Sequence, residues 1–241
     1  MRRMGWLVLL TVGVLFAAPL AVRADIAMPR DRWTDIRMVS EQVKIVLSPT
    51  KVTVEGTYYL KNERDTVTAV VGYPRGVLEK SLDDFTVTVD DKPVTVLSQP
   101  GRAEAGRMEE PARPQTGKPV KSSYQFEGPY PEWKTFNVDF AAGQQRKVVV
   151  SYHVTPAELK TVDKGKLLAY VYALTTGATW KGNIDEAQIE VTLDGLSMQD
   201  IVTVTPKAGK TTVNRAPLLW VFKDFKPTQN IELTFRTPEA K

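Results

Sequence analysis

The stretch KVTVEGTYYLK, residues 51–61, shows most clearly how this chain folds. Its apolar side chains recur at every second position, separated by polar or smaller residues: Val52, Val54, Tyr58 and Leu60. Because successive side chains of a β-strand point to opposite faces, this period of two predicts a strand with one buried face. Gly56 interrupts the apolar series and is expected at a bulge or at a close approach of another group.

The same alternation recurs along the rest of the chain, with few helical patterns between. FTVTVDDKPVTVLS, residues 85–98, predicts two strands, 85–89 and 94–97, around a tight turn. Two runs, 167–174 and 218–222, are apolar at every position and predict central strands covered on both faces. The pattern predicts an all-β fold of one or two packed β-sandwich units, Ig-like or jelly-roll-like.

One segment, TPAELKTVDKG at residues 155–165, carries helix signals. Thr155 suits the N-cap, Pro156 the first helical position, and Glu158 completes a capping box. A short connecting helix near 156–163 is predicted, with one sandwich unit at 25–157 and another at 158–241. A single continuous sandwich is the alternative. Residues 98–122, rich in Pro, Gly and mixed charge, predict a long flexible loop.

The N-terminus has the layout of a secretory signal peptide over residues 1–24. Two arginines precede an apolar stretch, and Ala24 closes a small-residue cleavage site. Cleavage predicts a periplasmic or extracellular protein, which contacts a membrane only if the leader stays attached. Loss of the three leader arginines reduces 32 Lys and Arg to 29, against 28 Asp and Glu. The mature chain is thus nearly neutral, which argues against a nucleic-acid partner.

The residue inventory excludes several chemistries. One histidine, His153, and no cysteine cannot form a zinc or copper cage, and no metal or cofactor is expected. Phosphate-binding glycine loops and nucleophile-elbow motifs are absent from the sequence. A pair of carboxylates for hydrolysis cannot be recognised from sequence spacing, so a carbohydrate-active or other hydrolase stays open as an alternative.

Five aromatic residues beside turns are the candidate binding residues: Trp33, Tyr73, Tyr130, Trp133 and Trp180. Such rings either stack on a ligand or fold back to cap the ends of a sandwich. For Trp180, in GATWKG, burial over Gly182 is predicted, because small neighbours make room for a ring. Gly177 is expected to turn the chain with a positive φ.

Three stretches, IRMVSEQVKIVL, VTVEGTYYLKN with VVGYP, and YALTTGATWKGNIDEAQIEV, resemble exported bacterial all-β proteins of domain-of-unknown-function families, with a TGxxWxGxI segment. The resemblance implies a secreted β-sandwich and assigns no activity or site residues. The leading prediction is a non-enzymatic envelope protein that binds a protein or glycan partner through turn aromatics and strand edges. A purely structural, adhesin-like segment is a further alternative.

Overall fold

The computed structural model describes residues 26–27, 35–76, 80–100, 130–159, 166–207 and 218–237. Within these ranges the regular secondary structure is all strand, apart from one short 3₁₀ turn at Thr175–Thr179. The strands are β1 (Ile36–Leu47), β2 (Val52–Asn62), β3 (Val67–Arg75), β4 (Asp83–Val89), β5 (Lys92–Pro93), β6 (Leu97–Pro100), β7 (Glu132–Phe140), β8 (Gln145–Val154), β9 (Ala157–Leu159), β10 (Leu167–Tyr172), β11 (Ile184–Leu193), β12 (Ile201–Thr205), β13 (Leu218–Phe225) and β14 (Ile231–Arg236).

The strands form three sheets. A seven-stranded sheet has the order β13-β11-β1-β2-β8-β4-β5, a four-stranded sheet β12-β14-β10-β9, and a three-stranded sheet β3-β7-β6. Only β1 and β11 pair in parallel among the described strands. The prediction of an all-β, sandwich-like fold is confirmed.

The seven-stranded sheet is continuous across the predicted unit boundary at residue 157. β11 and β13 follow that boundary in sequence, yet they extend the sheet that begins with β1 and β2. The eight-residue register between β1 and β11 runs from Ser40↔Glu186 to Leu47↔Leu193. The seven-stranded sheet thus contains strands from both sides of residue 157, whereas the four-stranded sheet contains only strands from Ala157 onward. The division of the chain into units stays a prediction.

One apolar core lies between the inner faces of the sheets and draws on all three of them. The alternating residues of β2 and β8 contribute as the period of two predicts. In β1 a bulge between Met38 and Ser40 shifts the alternation by one residue. Glu41, rather than Ser40, consequently points into the core with Val43 and Ile45.

The helix prediction at 156–163 is wrong for the part that the structure describes. Ala157–Leu159 is strand β9, which pairs with β10 from Ala157↔Ala169 to Leu159↔Leu167. A two-turn helix is marginal by itself, because nucleation is costly. Pairing with the edge of β10 satisfies the backbone instead, and residues 160–165 lie outside the described part.

Two strand predictions also need correction. The second strand of the 85–98 hairpin is only Lys92–Pro93, and the chain then crosses to the three-stranded sheet to form Leu97–Pro100. The tight turn itself is confirmed, since Asp90 and Asp91 have φ of 48° and 64°, as a type I′ turn requires.

The run 218–222 is not a central strand. β13 ends the order of the seven-stranded sheet, and the side chain of Val221 is exposed. By contrast, β10 has five consecutive buried residues, as predicted for coverage on both faces.

Several predictions fall outside the described residues. They are the signal peptide, Trp33, and the predicted loop beyond Pro100, since 98–100 belong to β6. In the described part of the chain, no helical segment has the length and hydropathy of a membrane span.

Candidate functional site

The four candidate aromatics that the structure describes are all buried. Tyr73, Tyr130, Trp133 and Trp180 have no more than 2% of their surface exposed. A ring that stacks on a ligand needs an accessible face, which none of these four offers. A role of these residues in binding stays a prediction.

Only two of these rings come together. Tyr130 and Trp133 meet edge to face, with ring centroids 5.0 Å apart and planes at 88°. They form a small cluster with Ala27 and Val70, separate from the main core. Tyr73 lies in the main core instead, where its hydroxyl is 2.6 Å from that of Tyr152. These contacts are those of packing residues.

The predicted burial of Trp180 is confirmed. Its indole Nε1 donates a hydrogen bond to the carbonyl oxygen of Ile26 at 3.1 Å, so the ring fastens the start of the described chain to the core. The details of the turn differ from the prediction. Gly177 lies in the 3₁₀ turn, and the positive φ, 67°, belongs to Gly182. The side chain nearest to a Cβ at Gly182 would be Arg37, so the ring does not pack over this glycine.

Charged side chains hold the loop around Trp180 in place through hydrogen bonds and ion pairs. Lys226 donates from Nζ to the carbonyl oxygens of Trp180 and Gly182, each at 3.0 Å. Lys181 pairs with Asp35 and Glu63 at 2.9 and 3.0 Å. The Lys181 ammonium lowers the pKa of both carboxyls, and Asp35 in turn raises the pKa of Lys181. These pairs are exposed, so they orient the loop more than they stabilise it.

A buried carboxyl group is the most unusual feature of the core. Glu41 is completely enclosed, and its Oε1 accepts a hydrogen bond from the Tyr172 hydroxyl at 2.7 Å. The Tyr172 hydroxyl lies 3.1 Å from that of Tyr58. The second carboxyl oxygen, Oε2, is buried and has no hydrogen-bond partner among the described residues. Burial raises the pKa of Glu41 to about 7, although the Tyr172 hydrogen bond lowers it.

Glu41 is not among the candidate residues predicted from the sequence, although the sequence carries a signal for it. Glu41 has the same parity as the alternating Val43, Ile45 and Leu47, so the inner face extends back to it. A charged residue at the end of an apolar series is usually taken as the solvent-exposed end of a strand. The partner that makes its burial possible, Tyr172, is distant in sequence, where it appears only as one residue of an apolar run.

A cleft of about 570 Å³ lies beside β6, where the chain crosses from one sheet to another. Its lining combines the aliphatic side chains of Val70, Val94 and Leu97 with hydroxyl and amide groups, such as those of Thr95 and Asn137. None of the described residues that line it is ionisable. The volume is in the range of ligand-binding pockets, and the lining suits an uncharged ligand.

Among the large hydrophobic residues that the structure describes, Leu97 is the most exposed. Its relative solvent exposure is 64%. It begins β6, which pairs with β7 on one side and has no described strand on the other. An edge strand offers unpaired backbone groups to an added strand, and Leu97 joins this edge to the apolar part of the cleft lining.

His153 points away from the core, as its position in β8 predicts. Its Nε2 lies 3.8 Å from Asp83 Oδ2, and its Nδ1 lies 3.5 Å from Asp84 Oδ2. In the part of the chain that is described, no group of three or more His, Asp or Glu residues is arranged to hold a metal ion.

No family model matches the chain, and no curated protein sequence matches it. The resemblance to exported families of unknown function stays a prediction. Among solved structures, the chain is similar to a candidate nutrient-binding protein of Legionella pneumophila, with a TM-score of 0.56 and 16% identity. That alignment covers 87% of this chain and 72% of the other. At this identity the likeness shows the fold alone.

The chain also aligns with an M1 zinc metallopeptidase of Deinococcus radiodurans. A variant of that enzyme bound to Tyr-Ser-Ala gives a TM-score of 0.39 at 8% identity, and the enzyme itself gives 0.34 at 10%. The alignments cover 84% and 86% of this chain but only 39% and 40% of the enzyme. The chain thus spans about two fifths of the peptidase, and scores this low support no argument about activity.

Proposed function

We propose that the chain is an exported, non-enzymatic protein of the cell envelope that binds an extended segment of a partner protein at β6. The observation that carries the proposal is the exposure of Leu97 on the edge strand β6, directly beside the cleft. A partner segment that adds to this edge gains main-chain hydrogen bonds from the strand and places a side chain in the cleft.

The composition of the cleft determines which segments fit. The described lining contains no ionisable group, and Lys134, which donates to Ser98 of the lining, is already paired with Glu132, so a charged side chain in the cleft would find no free counter-charge. An uncharged side chain can pack on Val94 and Leu97 and bond to the nearby hydroxyl and amide groups. The segment that we propose is therefore extended and neutral where it enters the cleft.

A glycan partner is less well supported by this geometry. Sugar recognition by stacking requires exposed rings, and Tyr73, Tyr130, Trp133 and Trp180 are buried. A hydrolase with paired carboxylates is also less well supported, since no Asp or Glu is among the described residues lining the cleft.

A small uncharged nutrient in the cleft is the second candidate. The cleft has a suitable volume, and the similar Legionella pneumophila structure is described as that of a candidate nutrient-binding protein. The edge of β6 distinguishes the partner segment from the small molecule. The segment would pair with this strand edge, whereas a small molecule held in the cleft would not need it.

The partner site is tested with a Leu97→Lys variant. Burying a leucine side chain contributes about 1.5–3 kcal/mol, so we expect binding to weaken tenfold or more. Short random peptides would be selected by display on the immobilised wild-type protein, and their dissociation constants measured by calorimetry. Leu97 is already exposed, so Tm should change little.

Val221→Lys provides a matched control, because Val221 is another exposed aliphatic residue on an edge strand, β13. Peptides that bind both variants as tightly as the wild type would contradict the proposal for β6. If no peptide is enriched, and free neutral amino acids or sugars raise Tm, the small-molecule candidate would be favoured.

Export is tested independently of binding. If the leader is removed after Ala24, protein recovered from the periplasm or the medium should begin at Asp25. N-terminal sequencing or intact-mass measurement reads this directly. A chain that keeps Met1 and stays with the membrane fraction would show that the leader is an anchor.

A further inference from the structure

Hydrogen bonds among Glu41, Tyr172 and Tyr58 connect two sheets through a mostly apolar core. Glu41 and Tyr58 are opposite each other on β1 and β2 of the seven-stranded sheet. Tyr172 lies on β10 of the four-stranded sheet, and its hydroxyl reaches both partners, at 2.7 and 3.1 Å. Hydrophobic packing between sheets has no preferred direction, so these hydrogen bonds add a directional polar link between the two layers.

No charge balances Glu41 in the described core. The buried polar or charged residues are Glu41 itself, Asn62, Thr135, Thr176 and Asn230, and none of the other four can carry a charge. β2 places Tyr58 next to Glu41, and β10 places Tyr172 there. On β11, the residue paired with Glu41 is Ala187. A carboxylate here would be desolvated, with one tyrosine hydroxyl as its only described hydrogen-bond donor.

The two protonation states therefore have different consequences for the sheets. A neutral carboxyl group can remain enclosed with one hydrogen bond, because its desolvation is far less unfavourable than that of a charged group. An ionised group requires either water or a counter-charge, so its desolvation favours opening a path for water. Water can reach Glu41 if β10 moves away from β1 and β2, since Tyr172 covers the carboxyl group from that side.

We propose that Glu41 is a proton-controlled latch between the seven-stranded and four-stranded sheets. With the proton bound, Tyr172 and Tyr58 close over the carboxyl group and β10 packs on β1. When the proton is lost, β10 loosens locally and the three-stranded sheet stays packed. The ligand site that we propose at β6 is on that third sheet, and the latch does not depend on it.

The direction of the pH effect follows from the pKa of Glu41. Burial raises it to about 7 in the folded protein from a usual value of 4.5. Between these values the folded state holds a proton that the opened or unfolded state has released. Raising the pH through this interval therefore favours opening, by up to about tenfold in the opening constant per pH unit for one proton. The stabilisation is complete below about pH 4.5 and lost above about pH 7.

Amide hydrogen exchange between about pH 5 and 8 tests the latch, after correction for the intrinsic pH dependence of exchange. Protection of β10 should fall more with rising pH in the wild type than protection of β7, which changes only as far as the global stability does. In Glu41→Gln, which keeps the shape of the side chain without an ionisable group, the protection of β10 should not depend on pH. Uniform loss in β7 and β10, or the same pH dependence in the variant, would overturn the proposal.

A second measurement needs no variant and covers the case in which Glu41→Gln fails to fold. The carboxyl carbon of Glu41 can be followed by NMR in the wild-type protein labelled with ¹³C. Its titration should coincide with the loss of protection in β10. A carboxyl group that shows no titration within this pH range, or β10 protection that changes outside the titration, would refute the latch.

Discussion

Replacing Trp180 with alanine is expected to lower the free energy of unfolding by about 3–5 kcal/mol, the cost of emptying a large aromatic site. The ring is 2% exposed and belongs to the main core cluster. The change also removes the donor that bonds the carbonyl oxygen of Ile26. At about 2–4 °C per kcal/mol for a chain of this size, Tm should fall by roughly 6–20 °C.

Two control variants separate the contribution of the Trp180 ring from those of its hydrogen bond and of the neighbouring charged side chain. Trp180→Phe keeps most of the ring but removes the Nε1 donor, so a smaller loss of about 1–3 kcal/mol is expected. Lys181→Ala removes the neighbouring side chain, which is exposed and ion-paired, and should change Tm only slightly. An unchanged midpoint for Trp180→Ala would show that the ring contributes little to the fold.

Local pattern was sufficient to predict much of the architecture. The period of two identified β2, β8, β11 and β14, because each has one face in the core and one towards solvent. It could not reveal which strands are neighbours. The parallel pairing of β1 with β11 joins segments that are far apart in sequence, and it depends on packing rather than on any local signal.

Prediction of the candidate site from the sequence is limited in the same way, because local pattern does not show which residues meet in space. Pro and Gly beside Tyr130 and Trp133 mark turns correctly, but they do not report whether a ring faces solvent or folds back. In this chain the rings fold back, because an exposed ring leaves apolar surface in water. The cleft at β6 arises where the segment after Pro93 crosses between sheets, and no local pattern predicts a crossing.

Gly56→Ala is expected to destabilise the protein by about 1–3 kcal/mol, the usual cost of overpacking a core. A Cβ at Gly56 would lie 2.7 Å from Cζ and 2.8 Å from Cε2 of Tyr58, and closer still to its hydroxyl oxygen. The Tyr58 ring cannot move away easily, since it is fully buried and its hydroxyl contacts that of Tyr172. The close approach predicted for this glycine from the sequence is therefore an approach of its own strand's tyrosine.

Gly56→Ala also has a stabilising effect, which must be smaller than the cost of the clash for this prediction to hold. Alanine reduces the freedom of the unfolded chain and stabilises by about 0.4–1 kcal/mol where the native backbone accepts it. Gly56 has an extended backbone, without a positive φ, so this gain applies in principle. Contacts below 3.0 Å with a buried ring outweigh it, because the ring, the Tyr172 hydrogen bond and the strand would all have to shift.

A double-mutant cycle that combines Gly56→Ala with Tyr58→Val identifies the ring as the cause. Alone, Tyr58→Val leaves a cavity and costs a few kcal/mol. In that background the methyl group added by Gly56→Ala fills part of the cavity, so its effect should be close to zero or stabilising, with a coupling of about 1–3 kcal/mol between the two sites. Denaturant unfolding of the four proteins measures this coupling. If Gly56→Ala is equally harmful in the Tyr58→Val background, the clash lies with other groups and Tyr58 is not what requires glycine at this position.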